Sequence, residues 1–102
     1  MSLKITKKHT NAVGYTHGGV LFALADCAFA EAVNCGDKKA VAIQVSINYL
    51  RPTAEGDILT AEATTVSDKK TLALCSVVIR KGDKDAAMFS GLAYKIQPDK
   101  QD

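Results

Sequence analysis

The chain switches between two hydrophobic periodicities. Residues 20–34 are apolar almost without interruption, rich in Ala and Leu, and contain neither Pro nor Gly. That pattern predicts one helix, ended by Asn34, Cys35 and Gly36 as a C-cap signal. From residue 41 onward, strict alternation takes over. Val41, Ile43, Val45, Ile47 and Tyr49 fall on one face of a strand, opposite Ala42, Gln44, Ser46 and Asn48, and Pro52 ends it. Residues 58–66, 71–80 and 86–96 read as further strands. Glu55-Gly56-Asp57, Ser67-Asp68-Lys69-Lys70 and Lys81-Gly82-Asp83-Lys84 supply the turns between them. Residues 3–8 alternate weakly and predict an extended lead-in to a turn-like region at 10–19. Residues 97–102 predict a polar tail. The order is strand, helix, then four strands on short turns. Short turns make antiparallel neighbours, so the fold class is α+β with one curved sheet.

The helix sets the packing problem. Its side chains leave almost no polar face, and a helix apolar all round is expected to be buried all round. The sheet is therefore expected to wrap it, with a second subunit covering what a small sheet leaves open.

Composition narrows the function classes. At 102 residues the chain is expected to be one domain, residues 1–102. A domain of this size is too small to enclose a large cofactor, and none is expected; a ligand site is more easily made between subunits. Net charge is +2, with Lys and Arg mixed among Asp and Glu. That is no nucleic-acid footprint, which would need a clustered basic face with interleaved aromatics. The longest apolar stretch carries Asp26 and Glu31 and is too short to span a bilayer, so no membrane partner is expected. The first eight residues hold no apolar signal core. Three cysteines, Cys27, Cys35 and Cys75, with no C-x-x-C spacing, argue against a disulfide framework or a structural zinc site. Buried free thiols in a reducing, cytoplasmic compartment and no bound metal are the expectation.

Candidate chemistry gathers at the helix. Gly18 and Gly19 stand at its start, where free N–H groups carry partial positive charge and can hold an oxyanion. His17 lies at or beside the cap. Asp26 sits in the most apolar stretch of the chain. A carboxylate there is costly unless paired or facing a cavity, and desolvation makes it a candidate general base. Gly18 and Asp26 are eight residues apart, roughly 12 Å along a helix axis. A base and an oxyanion donor must both lie within about 3 Å of the reacting groups. One chain can hardly supply both to one site. Two antiparallel helices packed side by side would, giving two composite sites across a two-fold axis.

At these residues the sequence resembles the hotdog-fold thioesterases, in particular acyl-CoA thioesterases of the phenylacetate-pathway type. The resemblance covers nearly the whole chain. It rests on His17-Gly18-Gly19 with Asp26 at its offset, on the helix end running to Asn34, and on Ile47-Asn48-Tyr49-Leu50-Arg51-Pro52 followed by Glu55-Gly56-Asp57. It implies a central helix wrapped by an antiparallel sheet, and a homodimer that pairs further into a tetramer. It implies an acyl-CoA substrate, with the Gly18 amide polarising the thioester carbonyl. Asp26 of the other subunit would act as general base or nucleophile, with Asn11 and His17 in support. A hydroxyl that helps place water in some relatives is replaced by Ala42; Ser46 lies four residues away.

Each candidate has a plainer reading. Asp26 as a structural buried acid, His17 as a helix cap, and Asn11 and Gly14 as turn residues are the alternatives. Gly19, Arg51, Arg80 and Lys81 are candidates for substrate binding, the three cations through nucleotide phosphate; each cation is also an ordinary solvated charge. Glu31 falls on another helix face and His9 reads as a surface residue. The rival functions are a non-catalytic acyl-thioester binder, favoured by Ala42; a hotdog dehydratase or hydratase, for which only His17 is a candidate base; and a structural oligomer module.

Overall fold

The structure, a computed structural model, describes residues 1–34 and 39–96. Its elements are β1 (Ser2–Lys4), a 3₁₀ turn (Lys7–His9), α1 (Gly18–Val33), β2 (Lys39–Tyr49), β3 (Ile58–Asp68), β4 (Leu72–Lys81) and β5 (Lys84–Ile96). They form an antiparallel sheet in the order β1-β3-β4-β5-β2, with α1 laid across one face. This is the α+β architecture that the alternation predicts, but β2 is not the neighbour of β3 that a short turn at 55–57 implies. β2 lies at the far edge and pairs with β5, while β3 pairs with β1 and β4. Gly36 of the C-cap signal, Cys35 and the tail 97–102 lie outside the described residues.

Three local expectations change. First, the helix starts at Gly18, two residues early, because His17 takes an extended cap conformation (φ −61°, ψ 138°) and the two glycines form the first turn. Glycine's poor helix propensity hides this in the sequence. Asn34 does end the helix, and its side-chain amide donates to the Ala30 carbonyl at 2.9 Å. Second, the lead-in is not one extended segment: β1 pairs with the start of β3, and the chain then turns through the 3₁₀ segment. Third, the register of β2 against β5 shifts between Ala42 and Gln44, so Ile43 is an extra residue. A bulge of this kind reverses which side chains face inward. Val45 and Ile47 pack on the core, whereas Val41 and Ile43 are exposed.

The core lies between α1 and the inner faces of β3, β4 and β5. Ala73, Cys75, Val77 and Ile79 of β4 alternate inward, as do Ala87, Phe89 and Ala93 of β5. Phe89 stands between two helix aromatics: Phe22 meets it edge-on at 5.6 Å between ring centroids, and Phe29 at a tilt at 5.7 Å. Phe29 reaches the sheet where β5 carries Gly91. A Cβ on Gly91 would lie 2.6 Å from the Phe29 ring, so the missing side chain is what lets the helix seat.

The helix is not buried all round within one chain. Leu21, Leu24, Ala25, Ala28 and Phe29 are buried, while Ala23, Cys27, Ala30, Glu31 and Ala32 are exposed. One sheet covers one side of a helix, and the other side of α1 is apolar but open. Cys27 is accordingly an exposed thiol, contrary to the expectation of burial, while Cys75 is buried. No helix among the described residues is long and apolar enough to cross a membrane.

Overpacking one methyl group at a closed contact costs about 1–3 kcal/mol. Gly91→Ala is therefore expected to lower the unfolding free energy by that much, read as a lower urea midpoint at unchanged m-value. Phe29→Leu in the same chain is expected to recover part of the loss, because the two positions touch.

Candidate active site at the helix entrance

The helix entrance is held by the loop at residues 10–17, and that loop is built on Asn11. Its side-chain oxygen accepts from the Val13 and Tyr15 N–H groups, both at 3.1 Å. Its backbone N–H donates to the Tyr15 carbonyl at 2.7 Å, and its carbonyl accepts from Gly14 at 3.0 Å. Gly14 takes φ 92°, a value that favours glycine. Asn11 and Gly14 thus act as turn residues, and Asn11 has one carboxamide oxygen fully committed to the loop.

The loop is fastened to the segment after β2. Thr16 donates its N–H to the Thr53 carbonyl at 2.7 Å, and the two threonine hydroxyls bond at 2.6 Å. Thr53 is buried, so this polar contact replaces water the site would otherwise need. Asp57 accepts from the Ala54 N–H at 2.8 Å and closes the next turn around Gly56. His17 donates its N–H to the His9 carbonyl at 2.9 Å, which ties the helix start to the 3₁₀ turn. The His17 ring makes no cap hydrogen bond and is exposed. It is the N-cap by position and free to act by side chain.

The Gly18 and Gly19 N–H groups have no acceptor among the described residues. They are the unfilled donors of a helix start, in a first turn that carries no acidic residue. Space at the two glycines differs. A Cβ on Gly18 would meet the Tyr49 ring at 3.1 Å, whereas one on Gly19 would meet nothing within 4 Å. Gly19 lines a largely apolar cavity of about 450 Å³ together with Leu3, His9, Val20, Ala23 and Cys27. Lys4, Lys7 and Lys8 precede the helix in sequence with no Asp or Glu before Asp26, while Asp57 joins the same end of the fold, its carbonyl accepting the Ile5 N–H at 2.8 Å.

Asp26 is half-buried on α1, and no group among the described residues bonds its carboxylate. It does not line the cavity beside Gly19. One chain therefore does not bring Asp26 and the glycine amides together, as the helix rise requires. Glu31 is exposed and lines a separate cavity of about 260 Å³ between α1 and β3. Among the described residues no cluster of His, Cys, Asp and Glu could hold a metal ion.

The candidate phosphate ligands differ in their commitments. Arg80 pairs with both Glu62 and Asp85. Lys81 lies 3.7 Å from Asp57 and donates to the Pro52 carbonyl at 3.3 Å. Arg51 is exposed and has no ion-pair partner among the described residues. All three stand at the end of the sheet that carries the helix entrance, since β2 and β4 end there and β3 and β5 begin there.

Two residues at this site escape a reading of the sequence. His9 is half-buried, not a plain surface residue: its Nδ1 accepts the Thr6 N–H at 2.9 Å, and it lines the cavity. The Thr6-x-x-His9 spacing was its one local signal. Tyr49 donates its hydroxyl to the Gly18 carbonyl at 3.0 Å across 31 positions of sequence, and no local pattern announces that.

Residues 13–87 match the thioesterase superfamily profile, and the chain belongs to that superfamily, in its hotdog-fold form. Within it, the chain is similar to the PaaI-like proteins. It is 35% identical over 97 residues to Escherichia coli acyl-coenzyme A thioesterase PaaI, covering 94% of this chain and 69% of that protein. It is 39% identical over 100 residues to a putative esterase of Archaeoglobus fulgidus, covering 97% of this chain but only 65% of that protein's length. The solved E. coli PaaI structure superimposes with a TM-score of 0.90 at 36% identity, over 94% of this chain and 70% of that one. A Streptococcus mutans protein bound to acetyl CoA superimposes at 0.88 with 26% identity, over 93% and 77%.

Asn11→Ala removes the acceptor of two loop hydrogen bonds and is expected to cost about 1–2 kcal/mol in a denaturation curve. Asn11→Asp keeps an acceptor oxygen in place and is expected to hold the parent stability.

Proposed function

We propose that the protein hydrolyses acyl-CoA thioesters in composite sites between two copies of the chain. The observation that carries this reading is the pair of unfilled amide donors at Gly18 and Gly19, the second of which borders an apolar cavity. A thioester offers what those two features suit: a carbonyl oxygen that becomes an anion, and an apolar chain beside it. The Gly18 amide polarises that carbonyl. Asp26 of the second copy either takes a proton from the attacking water or attacks directly to give an acyl anhydride that water then cleaves; in both, the thiolate of CoA leaves and the free acid is released. His17 and Asn11 support the carbonyl end and the water, Asn11 through the loop it shapes. Arg51 is the cation most available to nucleotide phosphate. Arg80 and Lys81 would first exchange a carboxylate for it.

Two features favour a second copy. The open side of α1 is apolar, and its burial would be favourable. β2 is a sheet edge of eleven residues with Val41 and Ile43 exposed, the kind of edge that pairs or is covered. Joining two β2 edges antiparallel would set the two helices side by side, with each Asp26 towards the partner's helix start. Further pairing into a tetramer and a cytoplasmic location complete the proposal. The name of the E. coli PaaI relative supports the substrate class.

The alternative is an acyl-thioester binder that does not turn over, favoured by Ala42 at the position of a water-placing hydroxyl. Purified protein with a panel of acyl-CoAs and a thiol-reactive dye separates the two. Hydrolysis is expected, with Asp26→Ala lowering kcat by about 10²-fold or more. Heat protection by acyl-CoA without thiol release would instead establish the binder.

Subunit mixing tests the composite site. Gly18→Pro removes the amide donor at a helix position whose backbone tolerates proline, after a residue already extended, and its ring also displaces Tyr49, so both effects disable the same site. Asp26→Ala and Gly18→Pro chains, each inactive alone, are expected to regain about a quarter of parental activity when unfolded and refolded together in equal amounts, since half the dimers are then mixed and each holds one intact site. No recovery would place both groups in one chain's site.

A further inference from the structure

Tyr49 closes β2 and touches the helix entrance twice. Its hydroxyl donates to the Gly18 carbonyl at 3.0 Å, and its ring occupies the space a Gly18 side chain would take. Only a residue without a Cβ lets this contact form undisturbed. The Gly18 carbonyl needs no such bond for folding, because position 18 already faces the N–H four residues on in the helix. The carbonyl belongs to the Gly18–Gly19 peptide, and a peptide unit is planar. Holding its oxygen therefore sets the direction of its N–H, which is the Gly19 N–H. That N–H has no acceptor among the described residues, and Gly19 borders the apolar cavity with open space above it. A hydrogen bond at the oxygen end of an amide also strengthens the donor at its nitrogen end.

We infer that Tyr49 is a positioning residue, which aims and strengthens the Gly19 N–H as a second oxyanion donor beside Gly18. This rests on the thioesterase reading above. Its chemistry is distinct from the Asp26 step: Tyr49 touches no reacting atom and exchanges no proton with the substrate.

The test replaces Tyr49 with Phe, which keeps the ring, and with 3-fluorotyrosine, a more acidic phenol, at a pH where that phenol is protonated. Two readouts are followed: acyl-CoA kinetics, and the Gly19 amide proton shift in a ¹⁵N-labelled sample without ligand. Tyr49→Phe is expected to lower kcat about fivefold, the share of one neutral hydrogen bond, with KM within about twofold. The Gly19 shift and kcat are expected to rank together as Phe, Tyr, fluorotyrosine. A packing role alone would give no such ranking, since the ring is present throughout. Parental kcat in Tyr49→Phe, or a Gly19 shift indifferent to the series, overturns the inference. A parent that hydrolyses no thioester sinks the hydrolase reading instead, and the shift series then still reports whether Tyr49 controls the Gly19 amide.

Discussion

Phe29 seated over Gly91 is the contact on which the arrangement depends. It decides where along the sheet an otherwise featureless apolar helix comes to rest. A helix made mostly of Ala, Leu and Val has many ways to lie on a sheet of Ala, Val and Ile. One large ring and one missing side chain select among them. With that point fixed, the helix start is carried to the end of the sheet where β2 and β4 finish, and its first-turn amides come beside Tyr49.

The polar contacts at that end serve a different purpose from the core. Asn11, Thr16, Thr53 and Asp57 bond backbone groups of the loops to one another and leave the glycine amides alone. The loops are satisfied so that the helix entrance can remain unsatisfied. Unfilled donors on a rigid frame are already organised for a developing negative charge, and that is where electrostatic catalysis finds its advantage. The thioesterase-superfamily membership and the proposed chemistry meet at this point.

Much of this was legible in the sequence, and the failures have physical causes. The helix and the hairpins β3–β4 and β4–β5 follow from periodicity and turn residues, and the likeness to hotdog thioesterases from the His17-Gly18-Gly19 to Asp26 order. The place of β2 beside β5 follows from neither, because the segment after β2 is a crossover and not a hairpin turn. The helix start was misjudged by two residues because glycine signals a break, while here it serves as a tight first turn. The residues read onto one face of β2 do not share it, because one bulge at Ile43 breaks a two-residue period without any marker in composition. Full burial of the helix was expected from its apolarity, but apolarity states what should be covered and not what covers it. Tyr49 and His9 act through contacts that bridge distant segments or through a backbone donor, and spacing alone does not carry those. Asp26 was legible as an anomaly, a charge among apolar neighbours; its half-buried, unbonded state is what the structure adds.

The excess of cations in the segment ahead of the helix has a kinetic consequence. Lys4, Lys7 and Lys8, with no carboxylate before Asp26, add to the positive end of α1. A local excess of exposed positive charge draws in anions from beyond contact range, and dissolved salt shortens that range. Capture of a polyanion at this opening would therefore slow as ionic strength rises, even where every bond formed afterwards stays the same.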